Sequence, residues 1–108
     1  MFPDVKVEER TLRMPTSGGR ERTVTFPAPI AQVLGCSAGI AVRCETDPYT
    51  LRDRNVFGVT TGAAGVWRVD ARIAGSVCTG LSSEGGRLLA TLEDGSQVAI
   101  DPATGRLL

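Results

Sequence analysis

The stretch from Arg87 to Leu108 constrains the fold of this 108-residue chain more than any other part of the sequence. An apolar run there meets the turn sequence Glu-Asp-Gly-Ser at 93–96, in which glycine permits a positive φ and aspartate tolerates turn conformations. Beyond the turn, Val98 and Ile100 point to one face of a strand and the residues between them to the other. This pattern predicts a β-hairpin.

A second turn follows the hairpin. Proline has no N–H to give to a β-ladder, so Asp101-Pro102 is predicted to end the strand. The Asp101 carboxylate can accept backbone N–H bonds, and Gly105 can take a left-handed conformation. The last residues, Arg106-Leu107-Leu108, are predicted to begin another strand.

Strand-like runs and turns alternate along the rest of the chain. No apolar pattern with the 3.6-residue period of a helix persists for three turns, so the predicted fold is all-β, an antiparallel meander in a single domain spanning residues 1–108. In the run at 40–44, Ile40, Val42 and Cys44 are expected to face the core, and Ala41 and Arg43 to face solvent. Strands are predicted within 4–14 and at 23–26, 30–34, 40–44, 56–60, 66–70 and 77–81. Turns are predicted at 15–19, 61–65 and 82–86, where glycine, serine and other turn residues cluster.

An internal repeat relates two of these segments. Shifting residues 57–70 by 31 positions places Phe57 on Leu88, Val69 on Ile100 and Asp70 on Asp101 without a gap. Self-similarity at a fixed period of this length is typical of repeat architectures.

The residues Ala99-x-Asp101-x-x-Thr104-Gly105-Arg106 resemble the blade-end signature of β-propeller repeats of the quinoprotein (PQQ-like) type, which runs on to a docking tryptophan. The resemblance implies four-stranded antiparallel blades, with blade-like repeats in residues 29–108. The alternating segments before them predict an N-terminal hairpin within 1–26. The tryptophan would follow Leu108, and the sequence shows no set of ligands for a cofactor, so none is expected. A closed propeller needs about four or more blades. The alternatives are a small sandwich, a partly open barrel, or copies that associate through their sheet edges.

Composition argues against several classes of partner. The 12 basic and 12 acidic residues are mixed along the chain, without the stripe of one sign that nucleic acids or anionic membranes attract. The N-terminal residues have neither a basic leader nor an apolar span, so the expected location is the cytoplasm. All basic residues but Lys6 are arginine, which we interpret as codon bias in a GC-rich bacterial genome.

The chain contains no histidine, the commonest metal ligand and the usual acid–base group at neutral pH. The pentapeptide at 35–39 matches Gly-x-Ser-x-Gly, but a nucleophile elbow also needs a histidine and a strand-to-helix turn. Cys44 and Cys78 are expected in the core, and Cys36 on a turn as an exposed thiol. Most carboxylates fall in turns, so no enzyme, metal site or cofactor is predicted.

The longest polar loop, at 47–55, is the best candidate for recognition, because it carries residue types favoured at interfaces. The alternative is a solvated loop with its tyrosine packed against the base. The predicted function is a non-enzymatic protein-interaction or scaffold module acting through this loop or an open sheet edge. A small-molecule or carbohydrate binder using Trp67 and Tyr49, and a thiol- or carboxylate-based enzyme, are the alternatives. The candidate interaction residues are Tyr49, Arg52, Asp53 and Arg54.

Overall fold

A computed structural model describes residues 5–15, 19–60 and 65–108 and arranges their strands in three antiparallel sheets. The all-β prediction is confirmed, and the described helical structure is a single 3-10 turn at Ala71–Ile73. The first sheet has the order β1 (Lys6–Glu8), β2 (Thr11–Pro15), β3 (Glu21–Thr25). The middle sheet has the order β4 (Ile30–Cys36), β5 (Gly39–Cys44), β6 (Val56–Thr60), β7 (Val66–Arg68). The third has the order β10 (Gln97–Ile100), β9 (Arg87–Leu92), β8 (Cys78–Glu84).

In the N-terminal part of the described chain, β2 and β3 form an antiparallel hairpin, and β1 adds a third strand to it. The run at 4–14 breaks at Glu9, whose φ of 52° turns the chain back so that β1 pairs with β2. The expected turns at 15–19 and 61–65 lie largely outside the described residues, although Pro15 itself belongs to β2.

The hairpin predicted from the C-terminal stretch is confirmed as β9–β10. Its turn is stabilised by Asp94, whose Oδ1 accepts a hydrogen bond from Ser96 N at 2.9 Å. The turn before β9 is shorter than the predicted 82–86 segment. Strand β8 continues to Glu84, which pairs with Arg87 across a two-glycine turn. The serines that looked like turn residues therefore lie on a strand.

The middle sheet is buried on both faces. Ile40, Val42 and Cys44 of β5 pack toward the first sheet, and Ala41, which is fully buried, packs toward the third. The expectation that Ala41 faces solvent was wrong, because strand alternation distinguishes two faces without showing whether a second sheet covers one of them.

Two cores result. Between the first and middle sheets, the rings of Phe26 and Phe57 lie 5.3 Å apart at a tilt of 56°, a favourable aromatic geometry. The buried members of this first core are Leu12, Met14, Phe26, Ala28, Ile40, Val42, Cys44, Leu51, Phe57 and Val59. Between the middle and third sheets, the second core contains Ala41, Val56, Val69, Ile73, Cys78, Leu81, Leu88, Ala90, Leu92 and Ile100.

Two side-chain amides join the middle and third sheets through the edge of β8. Gln32 accepts a hydrogen bond from Leu81 N at 2.9 Å and donates to Leu81 O at 2.8 Å. Asn55 does the same with Cys78, at 2.8 and 3.0 Å. Each amide therefore takes the place of a neighbouring strand's peptide group. A β-bulge at Ala31 precedes Gln32, and bulges commonly re-aim a side chain in this way.

The C-terminal residues fold back along β10. Leu107 forms an antiparallel bridge with Ile100, and Leu108 N donates to Ala99 O at 3.0 Å. The predicted additional strand is thus a short extension of the third sheet.

Candidate functional site

The nucleophile-elbow pattern at 35–39 lies on a β-hairpin. Cys36 pairs with Gly39, so Ser37 and Ala38 form the two-residue turn between β4 and β5. A nucleophile elbow leads from a strand into a helix, and this turn leads into a second strand. Among the described residues, no group of three or more cysteine or carboxylate side chains is arranged to hold a metal ion.

The three cysteines are free thiols in different surroundings. Burial raises the pKa of Cys44 to about 11, and burial also raises the pKa of Cys78. Both thiols lie in the cores, as predicted. Cys36 is half-buried and its Sγ donates to Gly39 O at 3.4 Å, so it is less exposed than its turn-like sequence suggested.

We expect iodoacetamide at pH 8 to modify the native chain once at most, at Cys36. A thiol with a pKa of about 11 is ionised in roughly one molecule in a thousand at that pH, and only the thiolate reacts. Intact-mass spectrometry should show three adducts after unfolding in urea and none on the native C36S variant. A second adduct on the native protein would contradict the buried placement of Cys44 and Cys78.

Trp67 is enclosed between two backbone segments. A Cβ atom added to Gly58 would lie 1.9 Å from ring atom Cε2, and one added to Gly105 would lie 2.4 Å from Cε3. The indole Nε1 donates to Pro102 O at 2.9 Å. Trp67 packs against the second core whereas the loop of Tyr49 is anchored in the first, so the two aromatic residues do not form a joint platform for a sugar or other flat ligand.

The predicted interaction loop divides into an anchored part and an exposed part. Arg54 donates from Nε and Nη2 to Val69 O at 2.9 and 2.6 Å. The Asp53 carboxylate accepts from Gly75 N, and Arg68 Nη2 donates to Asp53 O at 2.9 Å. Asp53 and Arg54 therefore hold the loop to the chain segments after β7 and present little surface to a partner.

Residues 46–52, which we call the loop tip, project outward on a fixed backbone. Asp47 and Leu51 exchange two main-chain hydrogen bonds of 2.7 and 3.1 Å, and Asp47 Oδ1 accepts from Tyr49 N at 2.7 Å. Leu51, only 3% exposed, anchors the tip in the first core. Tyr49 is 93% exposed, so it does not pack against the base of the loop.

Arg52 completes the surface of the loop tip. Its Nε donates to Pro48 O at 2.8 Å, and within the described part of the chain its guanidinium forms no ion pair. A shallow groove of about 290 Å³ lies beside it, lined by Thr46, Asp47, Pro48 and Arg52. The loop tip thus presents one aromatic ring, one guanidinium and a small concavity.

Asp70 stabilises the fold, and the only sequence signal at this position is its alignment with Asp101 in the internal repeat. Its carboxylate accepts hydrogen bonds from Arg72 N at 2.9 Å, Arg72 Nε at 3.0 Å and Leu107 N at 3.2 Å. These bonds, first of all the one from the Arg72 amide, lower the pKa of Asp70 to about 2. The carboxylate therefore joins the end of β7 to the C-terminal residues.

No helix in the described residues is long and apolar enough to cross a membrane. Comparison with curated proteins and with solved structures gives no match to this chain. A family described as a domain of unknown function matches residues 2–108, nearly the whole sequence. The chain belongs to that family, DUF7957.

Proposed function

We propose that this chain is a non-enzymatic protein-interaction module that binds its partner with the loop tip. The observation that carries the proposal is a tyrosine that is 93% exposed on a backbone held by its own hydrogen bonds and by a buried leucine. Tyrosine and arginine are enriched among the residues that dominate binding energy at protein interfaces. The loop tip presents one residue of each type, Tyr49 and Arg52.

The fixed backbone of the loop tip favours binding. A partner that docks on a mobile loop must offset the loss of its conformational freedom, whereas a preorganised loop has lost most of that freedom already. The bonds between Asp47 and Leu51 and the buried Leu51 side chain supply this order before any partner arrives. Tyr49 then needs only its own side-chain rotamer to be fixed.

The middle and third sheets support our interpretation of blade-like repeats. Asp70 and Asp101, equivalent under the 31-residue shift, each accept a bond of 2.9 Å from the amide two residues further on. Hairpin β6–β7 corresponds to β9–β10, although the strand pairing differs by one residue: Phe57 faces Arg68, and Leu88 faces Ile100. We further propose a reducing, cytoplasmic location, which the three unpaired thiols support.

Replacing Tyr49 with alanine is expected to weaken partner binding about 30-fold or more, the effect of losing about 2 kcal/mol at a hot spot. The partner would be captured from the native host cell, with p-benzoylphenylalanine at position 49 as the crosslinker, and its affinity measured by calorimetry. L108A is the matched control, since Leu108 is also a large exposed side chain but does not belong to the loop tip. Equal affinities for Y49A and L108A would refute the proposal.

A further inference from the structure

Two of the exposed sheet edges are occupied by other parts of the chain. The C-terminal residues pair with the free side of β10 at its end, at Ala99 and Ile100. The amides of Gln32 and Asn55 occupy the edge of β8 at Leu81 and Cys78. An unpaired edge strand is a template for pairing with another chain, and natural proteins commonly cover such edges.

Three further edges are short or adjoin another element. Strands β1 and β7 have three residues each, and the chain directly after β7 bonds through Asp70 N to Gly105 O at 2.9 Å. Strand β4 lies against β8, to which its Gln32 is bonded. Short edges offer few hydrogen-bonding groups, and an element packed against an edge leaves little room for another chain.

Strand β3 differs from all of these. It has five residues, and its free side carries no main-chain partner within the described part of the chain. Residue pairs of an antiparallel ladder alternate between those that exchange hydrogen bonds and those that do not. Phe26 N donates to Arg10 O at 2.8 Å, so the neighbouring pair of Thr11 and Thr25 is one that exchanges none. In such a ladder alternate residues direct both main-chain groups outward. In β3 these are Glu21, Thr23 and Thr25.

The position of Pro15 agrees with this alternation. Pro15 lies opposite Glu21, at a pair that exchanges no hydrogen bonds between β2 and β3. A proline is tolerated there because the ladder does not require an N–H from it.

We propose that β3 is the interface between two copies of this chain, which pair antiparallel about a two-fold axis at Thr23. Thr23 then faces Thr23 of the second copy and Glu21 faces Thr25, so every outward main-chain group on β3 gains a partner. Each of these pairs exchanges two hydrogen bonds. The first sheets of the two copies merge into one continuous six-stranded sheet.

The side chains of β3 suit a second copy in this register. The exposed face brings Thr23 against Thr23 and Glu21 against Thr25, while the other face brings Arg22 against Val24. Threonine pairs across antiparallel strands are favourable, and like charges directly opposite one another are not. An axis at Glu21 would place two carboxylates opposite each other and leave Thr25 unpaired. The axis at Thr23 avoids both.

Disulfide trapping tests this register. In a C36S background, T23C should form a disulfide-linked dimer under mild oxidation, because Cα atoms in such a pair lie about 5.5 Å apart, within the range of a disulfide. T25C alone should not form this dimer, because residue 25 faces Glu21 of the second copy. Residue 25 of that copy lies four strand positions further on, a displacement of about 13 Å. The E21C/T25C double variant should crosslink. Trapping of T25C without T23C would overturn the proposal.

The T23P variant separates association from folding. The N–H of Thr23 points away from β2, so proline removes a bond needed only by the dimer. Light scattering should give twice the chain mass for the wild type and T23V, and the single chain mass for T23P at the same concentration. A monomeric wild type, or a dimeric T23P, would refute the β3 interface. Neither result tests the proposed function of the loop tip, because the Y49A experiment measures affinity for a partner and not the mass of the oligomer.

Discussion

Asn55→Ala is expected to lower the free energy of unfolding by roughly 3 kcal/mol or more, since each orphaned buried polar group costs about 1–3 kcal/mol. Asn55 is 1% exposed. Its Nδ2 donates to Cys44 O at 2.8 Å and Cys78 O at 3.0 Å, and its Oδ1 accepts from Cys78 N at 2.8 Å. The substitution leaves two carbonyls and one amide without these bonds, between two packed sheets.

Urea unfolding with linear extrapolation would measure the loss. Gln97→Ala is the matched control, because that amide is exposed and its one bond, to Thr91 Oγ1, is 3.2 Å long. Such surface changes stay within about 0.5 kcal/mol. Asn55→Asp should destabilise at least as much as alanine, since a carboxylate would face two carbonyl oxygens. A loss below about 1 kcal/mol for Asn55→Ala would show that the amide does not join the sheets, given the usual cost of an unsatisfied group.

Gly58→Ala is the second large expected effect, with a loss of about 3 kcal/mol, at the upper end of the usual cost of overpacking. The new methyl carbon would lie 1.9, 2.2 and 2.3 Å from three atoms of the Trp67 ring. The indole has little room to retreat, because Gly105 lies against it and Pro102 O holds its Nε1. The clash must therefore displace β7 or the turn at 101–105.

Two other glycines serve as controls for Gly58. Gly80 is also in a strand, with nothing within 4 Å of an added Cβ, so Gly80→Ala should change stability little. Gly95 has φ +88° and open space, so Gly95→Ala isolates the cost of a left-handed backbone. Combining Gly58→Ala with Trp67→Ala should cost less than the two changes added together, because the ring no longer opposes the methyl group. Strict additivity would contradict the clash.

The strands and most turns could be predicted from local sequence patterns. Local patterns do not predict the contacts that a residue makes with distant segments of the chain. The hairpin around Gly95 was foreseen because a turn needs few residues and its chemistry is local. Ala41 was misplaced because its burial depends on a third sheet formed some forty residues later in the chain. No local pattern distinguishes Gln32 and Asn55 from solvated residues, since a polar side chain in or beside a strand-like run is usually exposed.

The loop at 47–55 shows the same division at the candidate site. Its composition indicated recognition, and the structure places Tyr49 and Arg52 outward while Asp53 and Arg54 bind the chain's own backbone. All four residue types are commonly exposed in loops, so the sequence offers no means of telling which of them face outward. The backbone groups that Asp53 and Arg54 contact lie 22 and 15 residues away along the chain and become neighbours only on folding.

By itself the sequence determined an all-β chain, the order of its hairpins and the absence of histidine chemistry, because side-chain alternation, turn residues and composition act locally. Tertiary structure alone decided that the middle sheet is covered on both faces and that two amides occupy the edge of β8. It also decided that Trp67 lies between Gly58 and Gly105, and that no other described strand pairs with the outer side of β3. These features depend on which distant segments meet. Local patterns cannot encode that choice, since it follows from the packing of whole sheets.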